Sequence, residues 1–135
     1  MIWRDLLHPR VAYAHCDIPC GIYDPAAAKT AADTVAKMVE KIQSFGGTDE
    51  ASRNNFVRSV AVKEEHAQIC KRELLILWTD YFKPEHLEKH PTLHDTFWKA
   101  AKLCSKNKQT VDPKAAADLQ AAVKEISDIF WATKK

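Results

Sequence analysis

Apolar residues recur at steps of three and four along most of the chain after Asp24, and that period belongs to helices. Ala28, Ala31, Val35, Met38, Ile42 and Phe45 form one stripe. Phe56, Val60, Ala67, Cys70, Leu74, Leu77 and Tyr81 form a second, longer one. Leu93, Phe97, Ala100, Ala101 and Cys104 make the third, and Ala116, Leu119, Val123, Ile126 and Phe130 the fourth. The punctuation agrees with the period. Asp24-Pro25 and Asp112-Pro113 each set a capping carboxylate before a proline at the first helical position. Gly46-Gly47 stops the first helix, Thr48 or Asp49 caps the second, and Lys83-Pro84 ends it. PEHLEKHP reads as a polar connection and SKNKQTV as a loop. These stripes and their short connections predict an all-α chain, an antiparallel four-helix bundle.

Composition narrows the function classes. The chain has 135 residues, 46% of them hydrophobic and 28% charged, which suits one domain with its own core. Lys+Arg 20 against Asp+Glu 18 is too balanced for nucleic acid to be the main partner. No apolar run reaches the roughly 18–20 residues that a bilayer span needs, so no membrane partner is expected. Leu74-Leu75-Ile76-Leu77-Trp78 is apolar nearly all round, more than one bundle face requires, and predicts subunit contacts.

The N-terminal part departs from the helical pattern. Residues 1–14, MIWRDLLHPRVAYA, end on a small-x-small triplet like a secretory cleavage site. Arg4, Asp5, His8, Pro9 and Arg10 interrupt the apolar core that such a signal needs. The segment therefore reads as a short leader of another kind, and the expected location is cytoplasmic. Residues 15–25, HCDIPCGIYDP, hold Pro19, Gly21 and Pro25 and cannot be helical. They form an irregular hook with two thiols, Cys16 and Cys20. By spacing alone that pair fits a disulfide, a redox pair, a metal clip or coincidence. If the leader is cut after Ala14, His15 gains a free amine. That amine, the Cys16 amide nitrogen and both sulfurs can then share a plane, a set suited to Ni(II) or Cu(II). The His15 imidazole is placed for an axial position.

Other chemistry-bearing residues have plainer readings. His86, His90 and His94 are four apart, but Pro91 interrupts any helix that would stack them. Surface and capping roles suit them better than zinc. Cys70 and Cys104 fall on apolar stripes and read as small core hydrophobes. The sequence shows no Gly-rich phosphate loop, zincin helix or serine elbow.

HCDIPCGIYDP closely resembles the nickel hook of the nickel-dependent superoxide dismutases. Trp78-Thr79-Asp80-Tyr81-Phe82-Lys83-Pro84 is similar to that family's second signature, and Ile129-Phe130-Trp131-Ala132-Thr133-Lys134-Lys135 to its ending. The resemblance runs from His15 to the C-terminus. It implies a leader, 1–14, removed by a processing protease, and a catalytic domain, 15–135, with its hook at 15–23. It implies a homohexamer that disproportionates superoxide by Ni(II)/Ni(III) cycling. The implied metal ligands are the His15 amine and imidazole, the Cys16 amide, and the Cys16 and Cys20 thiolates. Tyr23 and Tyr81 match the tyrosines lining the substrate approach, and Lys83 is a candidate for steering the anion. Ala31 and His66 stand where better-known members carry a glutamate and an arginine behind the axial imidazole. That departure makes His66 a candidate for orienting His15. The rival expectations are a non-catalytic metal or thiol-redox bundle using Cys16 and Cys20, and a helical interaction module with an inert hook.

Overall fold

The computed structural model describes residues 21–135. Five α-helices occur in it: α1 (Ala26–Ser44), α2 (Glu50–Ile76), α3 (Pro84–Lys89), α4 (Leu93–Gln109) and α5 (Pro113–Ala132). Four of them, α1, α2, α4 and α5, pack in a ring, each against two neighbours. This is the expected four-helix bundle. The extra helix, α3, lies in the PEHLEKHP segment that the sequence marked as a polar connection. Pro84 starts it, and the Lys83 backbone N–H donates to His86 Nδ1 at 3.0 Å.

The remaining boundaries follow local chemistry. Asp24 Oδ1 accepts the Ala26 N–H at 2.7 Å, and Asp49 accepts the Ser52 N–H at 3.3 Å. Asp49 rather than Thr48 thus caps α2. A Cβ on Gly47 would come within 2.7 Å of Ser52 Cβ, so glycine is what lets the turn close against that cap. Asp112 caps α5 by accepting the Lys114 N–H at 2.9 Å, with Pro113 in the first turn. At its other end α2 does not run as α-helix to Lys83. It widens into a π-helical turn, Leu77–Tyr81, a form that often marks functional positions.

Helix α4 reaches Gln109, so much of the expected SKNKQTV loop is helical. The cause is a buried lysine. Lys63, from α2, is only 2% exposed, and its ammonium donates to the carbonyls of Asn107 and Lys108. Orphan carbonyls at a helix C-terminus need such donors. Asn107 adds bonds from Nδ2 to the Leu103 and Ala115 carbonyls, tying α4 to α5. Lys63 also corrects the α2 stripe. Ser59 and Lys63 are buried there, whereas Phe56 is exposed and Val60 only half-buried. From Ala67 through Cys70, Leu74 and Leu77 the expected stripe lies in the core. Phe97, Leu119, Val123, Ile126 and Phe130 complete that core from α4 and α5.

Candidate metal centre

Among the described residues, Tyr23 meets Tyr81 of the π turn at one end of the bundle. Gly21 has φ +71°, a left-handed backbone conformation that glycine adopts without penalty. Gly21 follows Cys20 directly in the sequence. Two residues later the half-buried Tyr23 ring lies 5.6 Å from the Tyr81 ring. Both expected approach tyrosines are therefore brought together, one from the base of the hook and one from the π turn.

Tyr81 is enclosed by aromatic and cationic groups. Phe130 lies 4.5 Å away, Phe82 5.0 Å, and the His86 ring stacks on it at 5.8 Å. Lys134 Nζ sits over the Tyr81 ring at 4.9 Å, a cation–π contact. The Tyr81 hydroxyl meets Thr133 Oγ1 at 2.6 Å. The C-terminal residues thus belong to this corner, although only their likeness to a family ending marked them in the sequence. Lys83, the expected steering lysine, is exposed at the start of α3.

The other candidate donors have structural duties. His86 Nδ1 accepts from the Lys83 backbone, and His94 Nδ1 accepts from Trp78 Nε1 at 2.8 Å. His90 ends α3. Among the described residues no three histidines, cysteines or carboxylates are grouped to hold a metal ion. Cys70 and Cys104 are fully buried. The hydrogen bond with Cys104, together with burial, pushes the Cys70 thiol far above its ordinary range. Cys70 is therefore no ready metal donor, since the thiolate is the ligand form, and Cys104 is sealed in the core beside it. That leaves Cys16 and Cys20, which with His15 lie outside the described residues. Two soft sulfurs with nitrogen donors beside them fit a nickel ion.

Ala31 is buried in the core, and His66 is half-buried on α2. Because α1 and α2 form an antiparallel hairpin, His66 falls within about one helical turn of the level of Ala31. It lies roughly 22 Å along α2 from Tyr81 at the usual helical rise.

Residues 10–134 match the family described as nickel-containing superoxide dismutase. The chain is 39% identical over 131 residues to "Superoxide dismutase [Ni]" of Streptomyces seoulensis, covering 96% of each. A solved native nickel superoxide dismutase superposes with a TM-score of 0.80 at 39% identity, over 90% of this chain and 100% of its own. Other solved chains of this kind, 36–38% identical, carry alanine for a histidine at position one, alanine for an aspartate at position three, or phenylalanine for a tyrosine at position nine. With hook, signature, bundle and these matches in agreement, the chain belongs to the nickel-containing superoxide dismutase family.

Proposed function

We propose that this superoxide dismutase becomes competent only when residues 1–14 are removed, freeing the His15 amine to bind nickel. The groups that would hold the nickel are that amine, the His15 imidazole, the Cys16 amide nitrogen and the thiolates of Cys16 and Cys20. Two observations of spacing support the reading. His15, Asp17 and Tyr23 repeat the one, three, nine spacing of the substituted positions in the solved relatives. The share of this chain that the native relative covers, 90%, is the share that residues 15–135 make up.

Nickel held there supplies the one-electron couple that the reaction needs. Two superoxide anions and two protons give dioxygen and hydrogen peroxide. The chain's own residues control access. The contact between Tyr23 and Tyr81 carries this reading furthest, because it sets two bulky phenols directly after the second thiol. Their bulk admits small diatomic anions and excludes larger reductants. Lys134 supplies a positive charge above one of those rings. Such a charge raises the local concentration of an anion.

The decisive experiment compares two preparations of verified mass, one full-length and one beginning at His15, each loaded with nickel. Turnover is expected only in the second. Equal dismutase activity with residues 1–14 attached would overturn the proposal. In the processed form, Cys16→Ser and Cys20→Ser are expected to abolish nickel retention while leaving the helical circular dichroism unchanged. Only the family likeness makes His66 a candidate for orienting His15, since it stands roughly 22 Å along α2 from the Tyr81 corner. His66→Leu is then expected to alter the Ni(III) spectrum, and an unchanged spectrum and turnover would remove it from that role.

The finer setting completes the reading. We propose a cytoplasmic homohexamer served by a leader-processing protease, on the family likeness and the apolar Leu74–Trp78 segment. In the structure Leu75, Ile76 and Trp78 of that segment are only half-buried, which leaves apolar surface for a neighbouring copy. Among the described residues no helix is long and apolar enough to cross a membrane.

A further inference from the structure

The hydrogen bonds at the C-terminus fix the direction of a proton. Thr133 Oγ1 lies 2.6 Å from the Tyr81 hydroxyl and 2.6 Å from the Phe130 carbonyl oxygen. A threonine hydroxyl has one proton to give, and a carbonyl can only accept. The Thr133 proton is therefore committed to Phe130. In the contact between the two hydroxyls, Tyr81 must be the donor. The Tyr81 phenol then has no second proton, and only its remaining lone pair faces an incoming molecule.

We propose that Thr133 is a positioning residue: it holds the Tyr81 proton away from the substrate approach, so that the phenol meets anions as an acceptor and not as a donor. The inference rests on the reading of Tyr81 as a wall of that approach. Its chemical effect is discrimination. A phenol with a free proton would bind and retain any small anion through a charge-assisted hydrogen bond. A phenol whose proton is already spent offers such anions no grip, while Lys134 still provides unspecific attraction over the ring. The corner attracts anions without trapping them, which suits an enzyme whose substrate must arrive and react at once. The bond to the Phe130 carbonyl holds the Thr133 hydroxyl in place, and the Tyr81 ring is braced by Phe130 and His86.

Azide serves as the probe anion, and Thr133→Val as the variant, since valine keeps the shape and removes the acceptor. Freed from Thr133, the Tyr81 proton turns to the anion. Inhibition of the processed nickel enzyme by azide is expected to tighten about tenfold, the order that one charge-assisted hydrogen bond supplies. Thr133→Ser keeps the acceptor and is expected to restore wild-type azide sensitivity. In a Tyr81→Phe background the effect of Thr133→Val on azide should vanish, because the proton is gone. A second readout needs no nickel. In the metal-free protein the Tyr81 hydroxyl proton should appear by NMR as a slowly exchanging resonance close to the Thr133 side chain. It should persist in Thr133→Ser and disappear in Thr133→Val. Loss of turnover in Thr133→Val with unchanged azide inhibition would show a purely structural role and overturn the proposal. So would an unchanged hydroxyl resonance, and that result would leave the nickel-ligand assignment untouched.

Discussion

Individual side chains divide the four cysteines into two kinds. Cys70 and Cys104 are free thiols hydrogen-bonded to each other in a closed core, and the Cys70 thiol resists ionisation there. Thiol reagents act on thiolates. In metal-free native protein a disulfide-exchange reagent such as DTNB is expected to titrate two thiols quickly and the other two only after unfolding. Four fast thiols would mean that the core pair is accessible. Lys134 makes a second test at this scale. It is exposed and overhangs Tyr81. Lys134→Gln is expected to lower kcat/KM by roughly two- to fivefold at low ionic strength, as loss of one steering charge would. The deficit should shrink as salt is added and screening takes over. Lys83→Gln, measured in parallel, separates the residue favoured by sequence from the one favoured by geometry.

At the level of helices, the most informative residue is one that the apolar period passes over. Lys63 is buried because two carbonyls at the end of α4 require a donor, a demand that arises between helices and leaves no mark in the spacing within α2. For the same reason the SKNKQTV segment looked like a loop. Its polar residues are helical because Lys63 and Asn107 satisfy the backbone there. The stripes of α1, α4 and α5, by contrast, were legible, since each follows from a single helix burying one face. The hook stands out in the sequence because its prolines, glycine and thiols lie within eleven consecutive residues, and its thiols lie outside the described residues. Replacing Lys63 by Met is expected to destabilise the protein by about 1–3 kcal/mol, the usual cost of buried polar groups left without a partner. Burial lowers the Lys63 pKa from its ordinary value, with Glu64 opposing. Between the folded and unfolded values the unfolded chain binds more protons, so rising pH favours the folded wild type in that alkaline window. The stability gap between wild type and Lys63→Met should therefore widen as pH rises towards the ordinary lysine value. Thermal or urea unfolding at neutral and alkaline pH measures it, and a narrowing gap would contradict the assignment.

On the scale of the whole molecule, half-buried Leu75, Ile76 and Trp78 leave the α2 end with apolar surface beside the π turn. Light scattering of the processed protein at micromolar concentration is expected to give a mass several times that of one chain, and six times for the proposed hexamer. A monomer would refute it. The corner around Tyr81 also has a consequence for the order in which the molecule is made. Helices α1 with α2, and α4 with α5, are hairpins whose contacts lie close along the chain, and local contacts form fast. The corner instead joins Tyr23, Tyr81 and Thr133, the last two separated by 52 positions. Loop closure over such distances delays their meeting. In refolding from denaturant, helical circular dichroism is expected to recover before the chain gains the ability to take up nickel. Coincident recovery would argue against this order. A chain newly released from the ribosome would thus pass through a stage that is already helical and not yet able to hold a metal, and under the proposed maturation that interval is when residues 1–14 would be trimmed.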